Sequence, residues 1–264
     1  MDTATNHTFI ILAYKESPYI NACIQSLTQQ TLKSGVILST STPSLFLDGI
    51  GKEYGIPVVN NEKQEGIAAD WSFAYNLGKT KYITLAHQDD LYSPRYTETL
   101  IHWAEKYPEN LITFPAYSEL VDNKVKNFRL NLIIKAMIRF PFYFLGRNLK
   151  SSFLKKAILS FGSPIPCPAV MYNKKNIGEF HFSTEFSINM DWDAWLRLSR
   201  KQGEFVFVNK SLMIHRIHES SETTMGINNR QRIKEDTLLF LSIWGNFWGN
   251  LLVKLYALSY RSNR

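Results

Sequence analysis

Apolar and polar positions fall into short alternating blocks over the first ninety residues. Residues 9–12 (Phe-Ile-Ile-Leu) form an uninterrupted apolar run and predict a buried strand. After Ser17-Pro18, a capping residue followed by a proline suited to a first helical turn, Ile20, Cys23, Ile24 and Leu27 recur at helical spacing. Residues 36–39 predict a second strand, followed by a Ser/Thr/Pro-rich loop over 40–44. A helix over 46–54 stops at Gly55, a third strand covers 57–59, a helix over 70–77 ends at Gly78, and a fourth strand covers 82–86. Strands alternating with helices predict βαβ units and an α/β fold with a mostly parallel sheet flanked by helices. Such sheets bind ligands beyond the carboxyl ends of their strands. Attention therefore goes to the loops after Leu12, Ser39, Val59 and Ala86.

The middle of the chain changes character. Asn131, Lys135 and Arg139 are spaced by four, with Phe128, Leu132, Ile133, Met137 and Phe140 around them, until Pro141 ends the run. Leu149, Phe153, Ala157 and Phe161 repeat the pattern with Lys155 and Lys156 on the other side. Two basic amphipathic helices are expected, an insertion over about 126–161. It is read either as packed on the sheet or as resting on an anionic lipid surface. Near the end, residues 237–253 carry no charge and are rich in Leu, Phe and Trp. Ser242, Gly245, Asn246, Gly249 and Asn250 nevertheless mark a polar stripe at helical spacing. The stripe predicts an amphipathic helix lying on protein or membrane, or forming a homodimer seam, rather than one crossing a bilayer.

Composition narrows the class. With 45% hydrophobic and 20% charged residues in 264, the chain can bury a large core, which excludes a disordered tail, a coiled coil or a fibre. Two cysteines, Cys23 and Cys167, do not make a disulfide framework, and the early apolar run follows Asp2 rather than a basic start. The expectation is a protein that stays on the side of the membrane where it is made. The net charge is +7, yet no acidic residue lies between Asp122 and Glu179, where eleven cations fall, so the rest of the chain carries −4. A local anionic partner is expected. The cations are interleaved with long apolar runs, which favours lipid over nucleic acid.

Three segments carry candidate chemistry. The apolar strand at 82–86 runs into His87-Gln88-Asp89-Asp90, where carboxylates at a strand's end can hold a divalent cation against a diphosphate; capping the next helix is the plain alternative. Met190-Asp191-Trp192-Asp193 opens a helical pattern, its carboxylates read either as helix-end charges or as a general base. His215-Arg216-Ile217-His218-Glu219-Ser220-Ser221 places two imidazoles and a guanidinium within reach of a metal or phosphate, without the spacing of a structural zinc site.

Over about residues 8–225 these segments together resemble the family 2 glycosyltransferases with the GT-A fold. Thr8 to Glu16, read as TFIILAYKE, is similar to the family's first strand and nucleotide-binding turn, which implies that Ala13, Tyr14 and Glu16 face the base and ribose. The stretch from Gly66 through Trp71 resembles the glycine-led helix before the metal motif. His87-Gln88-Asp89-Asp90 falls where the family has Asp-x-Asp, which implies metal ligation by Asp89 and Asp90 and donor contact by Gln88. Asp191 matches the family's catalytic base, and Arg216 and His218 match a late Arg-x-His segment at the diphosphate and metal. Three departures stand out: His87 replaces the first Asp of the motif, Met190 replaces the Glu of Glu-Asp, and Thr40-Ser41-Thr42 replace the acidic residue that pairs with uracil. The last leaves dTDP-sugars as open as UDP-sugars.

The resemblance implies a Mn²⁺- or Mg²⁺-assisted inverting transfer from a nucleotide-diphosphate sugar, with Gly66, Trp71 and Thr40 on the donor side. Pro166 and Cys167, in the proline-rich stretch 163–169, and Trp192 and Asp193 are expected on the acceptor side. The acceptor implied is a glycan or a polyprenyl-diphosphate-linked glycan in cell-surface polysaccharide assembly. The enzyme is then expected in the cytoplasm, peripherally bound to the inner face of the membrane. The domain reading is a GT-A domain over 1–225 and a C-terminal amphipathic helical segment over 226–264. The rival expectation is a membrane-docked, inactive subunit that keeps the fold, for which His87 argues.

Overall fold

A computed structural model describes residues 6–63, 65–218 and 231–259, the last four of these as backbone alone. The first half is as the pattern predicts. β1 (His7–Ala13), α1 (Ile20–Thr28), β2 (Gly35–Thr40), α2 (Leu45–Tyr54), β3 (Val58–Asn60), α3 (Ile67–Leu77) and β4 (Tyr82–His87) follow one another. Then come β5 (Leu91–Tyr92), α4 (Tyr96–Lys106), β6 (Asn110–Val121), β7 (Lys124–Lys126), α5 (Leu130–Ile138), α6 (Pro141–Phe144), β8 (Asn148–Leu149) and α7 (Ser152–Leu159). After a 3₁₀ turn at Cys167–Ala169 the chain continues as β9 (Met171–Asn173), α8 (Lys174–Ile177), α9 (Met190–Ser199), β10 (Glu204–Arg216) and α10 (Gln231–Ser259). The expected boundary between residues 225 and 226 lies outside the described residues, as do Glu219, Ser220 and Ser221.

One sheet runs in the order β3-β2-β1-β4-β9-β6-β10-β5. β1 pairs in parallel with both β2 and β4, and all but one of its residues are buried, because helices cover both faces. The parallel pattern stops there: β9 enters antiparallel between β4 and β6, so the second half is mixed. α1 begins two residues after Pro18, with Ser17 Oγ accepting from the Tyr19 amide rather than capping the helix.

The insertion is turned the opposite way from a soluble amphipathic helix. On α5 the polar row faces the protein: Asn131 donates to Glu119, the Lys135 ammonium donates to the Tyr117 hydroxyl at 2.9 Å, and buried Arg139 donates to the Pro164 carbonyl at 2.8 Å. The apolar row, Leu130, Ile133, Met137 and Phe140, is exposed. On α7, Lys155 is wholly buried and donates to the carbonyls of Lys201 and Gly203, while Phe153 is 78% exposed. Arg129 pairs with Glu119, Lys150 with Glu109, and Lys174 donates to the Tyr75 and Gly78 carbonyls. Six of the eleven cations are therefore taken up by the chain itself; the expected outward basic face is corrected to an outward apolar one on α5, while on α7 Lys156 and Phe153 are exposed and Ile158 and Leu159 are buried.

By length and composition, the stretch Gln231–Leu255 of α10 could cross a membrane. However, Gly245 (φ 70°) breaks the helix there, and Gly249 lies so close to the Phe240 carbonyl that a Cβ would approach it to 2.9 Å. The two halves fold back on each other, each about 21 Å long against a hydrocarbon core of about 30 Å. Of the polar stripe read from the sequence, Gly249 alone is buried in the seam of this helical hairpin, while Ser242, Gly245, Asn246 and Asn250 stay exposed. The hairpin's first half enters the core through Leu239 and Phe240, while Phe247 and Trp248 stay exposed. Trp244 donates to the Ser160 carbonyl and meets the Phe161 ring at 5.3 Å, joining hairpin and insertion into one apolar surface.

Candidate active site at the carboxyl ends of the strands

β4 is covered through Ala86, so the chain presents polar side chains only as it leaves the sheet. There β5 turns antiparallel against β10, with Leu91 opposite Ile214, which carries His215, Arg216 and His218 alongside the acidic turn. Asp90 is wholly buried. One oxygen accepts from His215 Nδ1 and from the Arg216 amide, both at 2.9 Å; the other has no hydrogen-bond partner among the described residues and lies 3.9 Å from His87 Nδ1. Asp89 receives His218 Nε2 at 2.8 Å, and its carbonyl accepts from Arg216 Nε at 3.0 Å. Tyr19, from the loop after β1, packs its ring 5.1 Å from His218 and beneath the Arg216 guanidinium.

Ionisation follows from these neighbours. Burial works against a charged His215, but the Asp90 and Asp89 carboxylates outweigh it and hold the imidazolium up to about 9. Burial pushes His87 down, leaving it a neutral imidazole, the form that binds metals. Burial opposes ionisation of Asp89, yet the His218 hydrogen bond and the surrounding imidazoles keep its carboxyl below the usual range. Ligand atoms of His87, Asp89 and Asp90 lie within 4.8 Å of one another. A buried carboxylate oxygen without a donor is costly, and a divalent cation among these three groups would satisfy it, so the residues fit a metal. The structure therefore keeps Asp89 and Asp90 together, adds His87, and puts His218 on Asp89.

The donor-side residues are distributed less evenly. Ala13 is buried at the end of β1, and Tyr14 and Glu16 are exposed just beyond it. Gln88 spends its amide on the Tyr14 backbone, accepting from its N–H and donating to its carbonyl, so it clips the β1 loop rather than facing a donor. Thr40 is buried and accepts from the Thr42 amide; Thr42 in turn accepts from the Lys15 amide, where the backbone is left-handed (φ 55°). Gly66 precedes α3 in an exposed loop. Asp70, one turn into that helix, accepts from Ser41 at 2.6 Å and Asn61 at 2.8 Å and ties the loops after β2 and β3 together. Trp71 is 7% exposed, with its ring between those of His87 and Phe182, so it supports the metal cluster instead of lining the donor pocket.

On the expected acceptor side, Asp191 is partly buried in the first turn of α9 and accepts from the Trp192 amide. Burial raises its carboxyl above the ordinary 3.8, against the opposing charge of Arg232. Asp191 and His87 each perturb the other's ionisation, which puts base candidate and metal cluster on one crevice. Pro166 and Cys167 are buried beside it, the Cys167 thiol pushed up by burial and by the Asp191 charge. Two expectations are corrected. Trp192 is wholly buried, with its indole donating to the Leu159 carbonyl, and cannot touch an acceptor. Asp193 is paired with Arg197 at 2.8 Å along the helix. No local pattern marks Tyr19 or Asp70 as a site support, since Tyr19 meets His218 from the far end of the chain and Asp70 draws on Ser41, 29 residues back, and Asn61, 9 residues back.

A sheet whose strands end at a His/Asp/Asp cluster is the arrangement of a GT-A fold, and comparison with known proteins gives the family. The glycosyl transferase family 2 model matches residues 8–197, and the chain belongs to that family. It is an enzyme, a glycosyltransferase. It is 22% identical over 256 residues to an uncharacterized glycosyltransferase of Methanocaldococcus jannaschii, covering 91% of this chain and 79% of the relative. Its fold is similar to that of S. aureus TarS 1-349 in complex with UDP-GlcNAc (TM-score 0.59, 11% identity, 97% of this chain and 72% of that one). It is equally similar to the mannosyltransferase PcManGT of Pyrobaculum calidifontis in complex with GDP-Man and Mn²⁺ (TM-score 0.59, 11% identity, 98% and 70%).

Proposed function

We propose that the chain catalyses a metal-assisted, inverting transfer of a sugar from a nucleotide diphosphate to a glycan or lipid-linked acceptor. The observation that carries this reading is the His87/Asp89/Asp90 cluster at the carboxyl end of β4, to which Asp191 adds a desolvated carboxylate whose charge acts weakly on His87. In a single displacement the acceptor oxygen forms a bond to the anomeric carbon as the bond to the diphosphate oxygen breaks. The acceptor proton goes to Asp191 and the bonding electron pair leaves on the diphosphate. General-base assistance of this kind contributes about 10²–10⁴-fold. Asp89, Asp90 and His87 would hold a Mn²⁺ or Mg²⁺, which would supply charge neutralisation at the leaving group. A nitrogen donor among the oxygens suits Mn²⁺ better than Mg²⁺, which prefers an all-oxygen shell. His87 thus replaces one ligand by another, which weakens the inactive-subunit reading. Asp191→Asn is expected to lower turnover at least about 100-fold while donor affinity stays within about threefold; loss of donor binding instead would remove Asp191 from the role of base.

The inverted insertion supports an interfacial location. Phe128, Phe144, Phe153 and Phe247 are each more than 70% exposed, Trp244 meets Phe161 where α10 reaches the insertion, and Lys124, Lys126 and Lys156 are exposed nearby in the chain. Apolar side chains with a cationic rim match the headgroup region of an anionic leaflet. A polyprenyl-diphosphate-linked acceptor would be met there, at the inner face of the membrane.

A further inference from the structure

Helix α9, which carries Asp191, begins without a cap of its own. Asn189 sits at the capping position but makes no side-chain bond to the helix; its amide donates instead to Asp236 at 2.7 Å. A carboxylate from α10 instead gathers the segment that leads into the helix. The Glu235 carboxylate accepts from the backbone amides of Ser187 (2.9 Å), Ile188 (2.9 Å) and Asn189 (2.8 Å), from the Ser187 hydroxyl (2.8 Å) and from the Gln231 side chain (2.8 Å). Glu235 is 1% exposed. Burial alone would raise its carboxyl, yet the amides of Ser187 and Asn189 outweigh that and hold it below the usual range. Phe240, one turn on, packs its ring 5.0 Å from Trp192. These contacts of α10 end on residues 187, 188, 189 and 192, immediately around Asp191.

An ionised carboxylate near the amino end of a helix is favoured by the helix dipole, and here it makes charge-assisted hydrogen bonds to the amide at the cap position, Asn189, and to the two amides that lead into it. We propose that Glu235 is a positioning residue for Asp191: by gathering the amides of residues 187–189 it fixes the first turn of α9 and with it the direction of the Asp191 carboxylate. The proposal rests on Asp191 being the base. A base must sit within hydrogen-bond reach of its proton, and a displacement of about 1 Å can cost about 100-fold in rate. Glu235 itself would touch neither donor nor acceptor.

The test uses the full chain and three variants. Glu235→Gln keeps the shape but turns one acceptor into a donor facing backbone amides, Glu235→Asp keeps the charge on a shorter arm, and Leu239→Ala damages the same helix in the core without touching the cap. Hydrogen–deuterium exchange is followed for the peptide over 186–196. Turnover is followed as hydrolysis of UDP-GlcNAc, dTDP-glucose and GDP-mannose, whichever the wild type cleaves. Glu235→Gln is expected to speed exchange over 187–192 at least about tenfold and to lower kcat by about 10–100-fold, with the donor KM within about twofold. Glu235→Asp recovers part of both, and Leu239→Ala lowers the melting temperature while keeping kcat within about threefold. The inference is overturned if Glu235→Gln leaves exchange and kcat at wild-type values, or if Leu239→Ala lowers kcat as much. Wild-type turnover by Asp191→Asn would instead sink the base reading, with the exchange arm still reporting whether Glu235 holds the turn.

Discussion

A carboxylate that must take a proton works better when water does not stabilise its charge. Asp191 is in that position, its carboxyl raised above 3.8 by burial, while Asp89 is held below its ordinary value by His218 and its neighbours. The two groups therefore lose their negative charge in order as pH falls, Asp191 first. On the proposed mechanism the acid limb of kcat/KM reports Asp191, because protonation removes the base. That limb is expected above the ordinary carboxyl value of 3.8, with activity lost as pH falls through it. A profile flat down to pH 4 would mean that the group controlling activity is not a desolvated carboxyl. The residue types at this site were legible in the sequence because they follow one apolar strand and open one helix. Their partners were not. His215 meets Asp90 across 125 positions, and Trp71 turned out to brace His87, because a ring's burial depends on the strand opposite it.

At the scale of elements, the turn from α9 into β10 shows how the helix that carries Asp191 is fixed at its far end. Gly203 has φ 118°, and a Cβ there would come within 2.7 Å of the Glu109 carbonyl and 2.8 Å of Leu111 Cγ. Its own carbonyl accepts from buried Lys155, tying α7 to the same turn. Gly203→Ala combines a forbidden backbone angle with a backbone clash. It is expected to cost roughly 2–3 kcal/mol, about 5–10 °C in melting temperature; a shift under about 2 °C would show that the turn relaxes freely. Helix periodicity located α5 and α10, since an angle of 100° per residue is local information. It could not say which face of α5 looks inward. That was decided by Tyr117, Glu119 and Pro164, polar partners supplied by other segments. The small-residue stripe of α10 was visible too, but the turn at Gly245 converts the same pattern from a flat helix into a hairpin.

At the scale of the whole molecule, α10 links two regions. Its first turns hold the start of α9, and Trp244, at the end of its first half, joins it to the insertion at Phe161. Folded soluble proteins rarely leave so many large apolar side chains in one contiguous region without a partner. Fully burying one phenylalanine is worth about 1.5–3 kcal/mol, so replacing Phe128 and Phe144, at 88% and 72% exposed, by serine removes a large share of any lipid affinity. In flotation with phosphatidylglycerol vesicles the wild type is expected to rise with the lipid and the double variant to bind at least about tenfold more weakly, with unchanged melting temperature. Equal recovery of both proteins would turn that surface over to another partner.

The most direct measurement is thermal stabilisation and slow hydrolysis against a panel of UDP-, dTDP- and GDP-sugars with Mn²⁺, Mg²⁺ or EDTA, run on the wild type and on Asp191→Asn. Saturation at about a hundred times Kd would stabilise the fold by about 2.7 kcal/mol, which a melting curve resolves. The account predicts one donor that stabilises both proteins only when a divalent metal is present, and best with Mn²⁺, and that only the wild type hydrolyses. Stabilisation that ignores EDTA, or equal hydrolysis by Asp191→Asn, would contradict it.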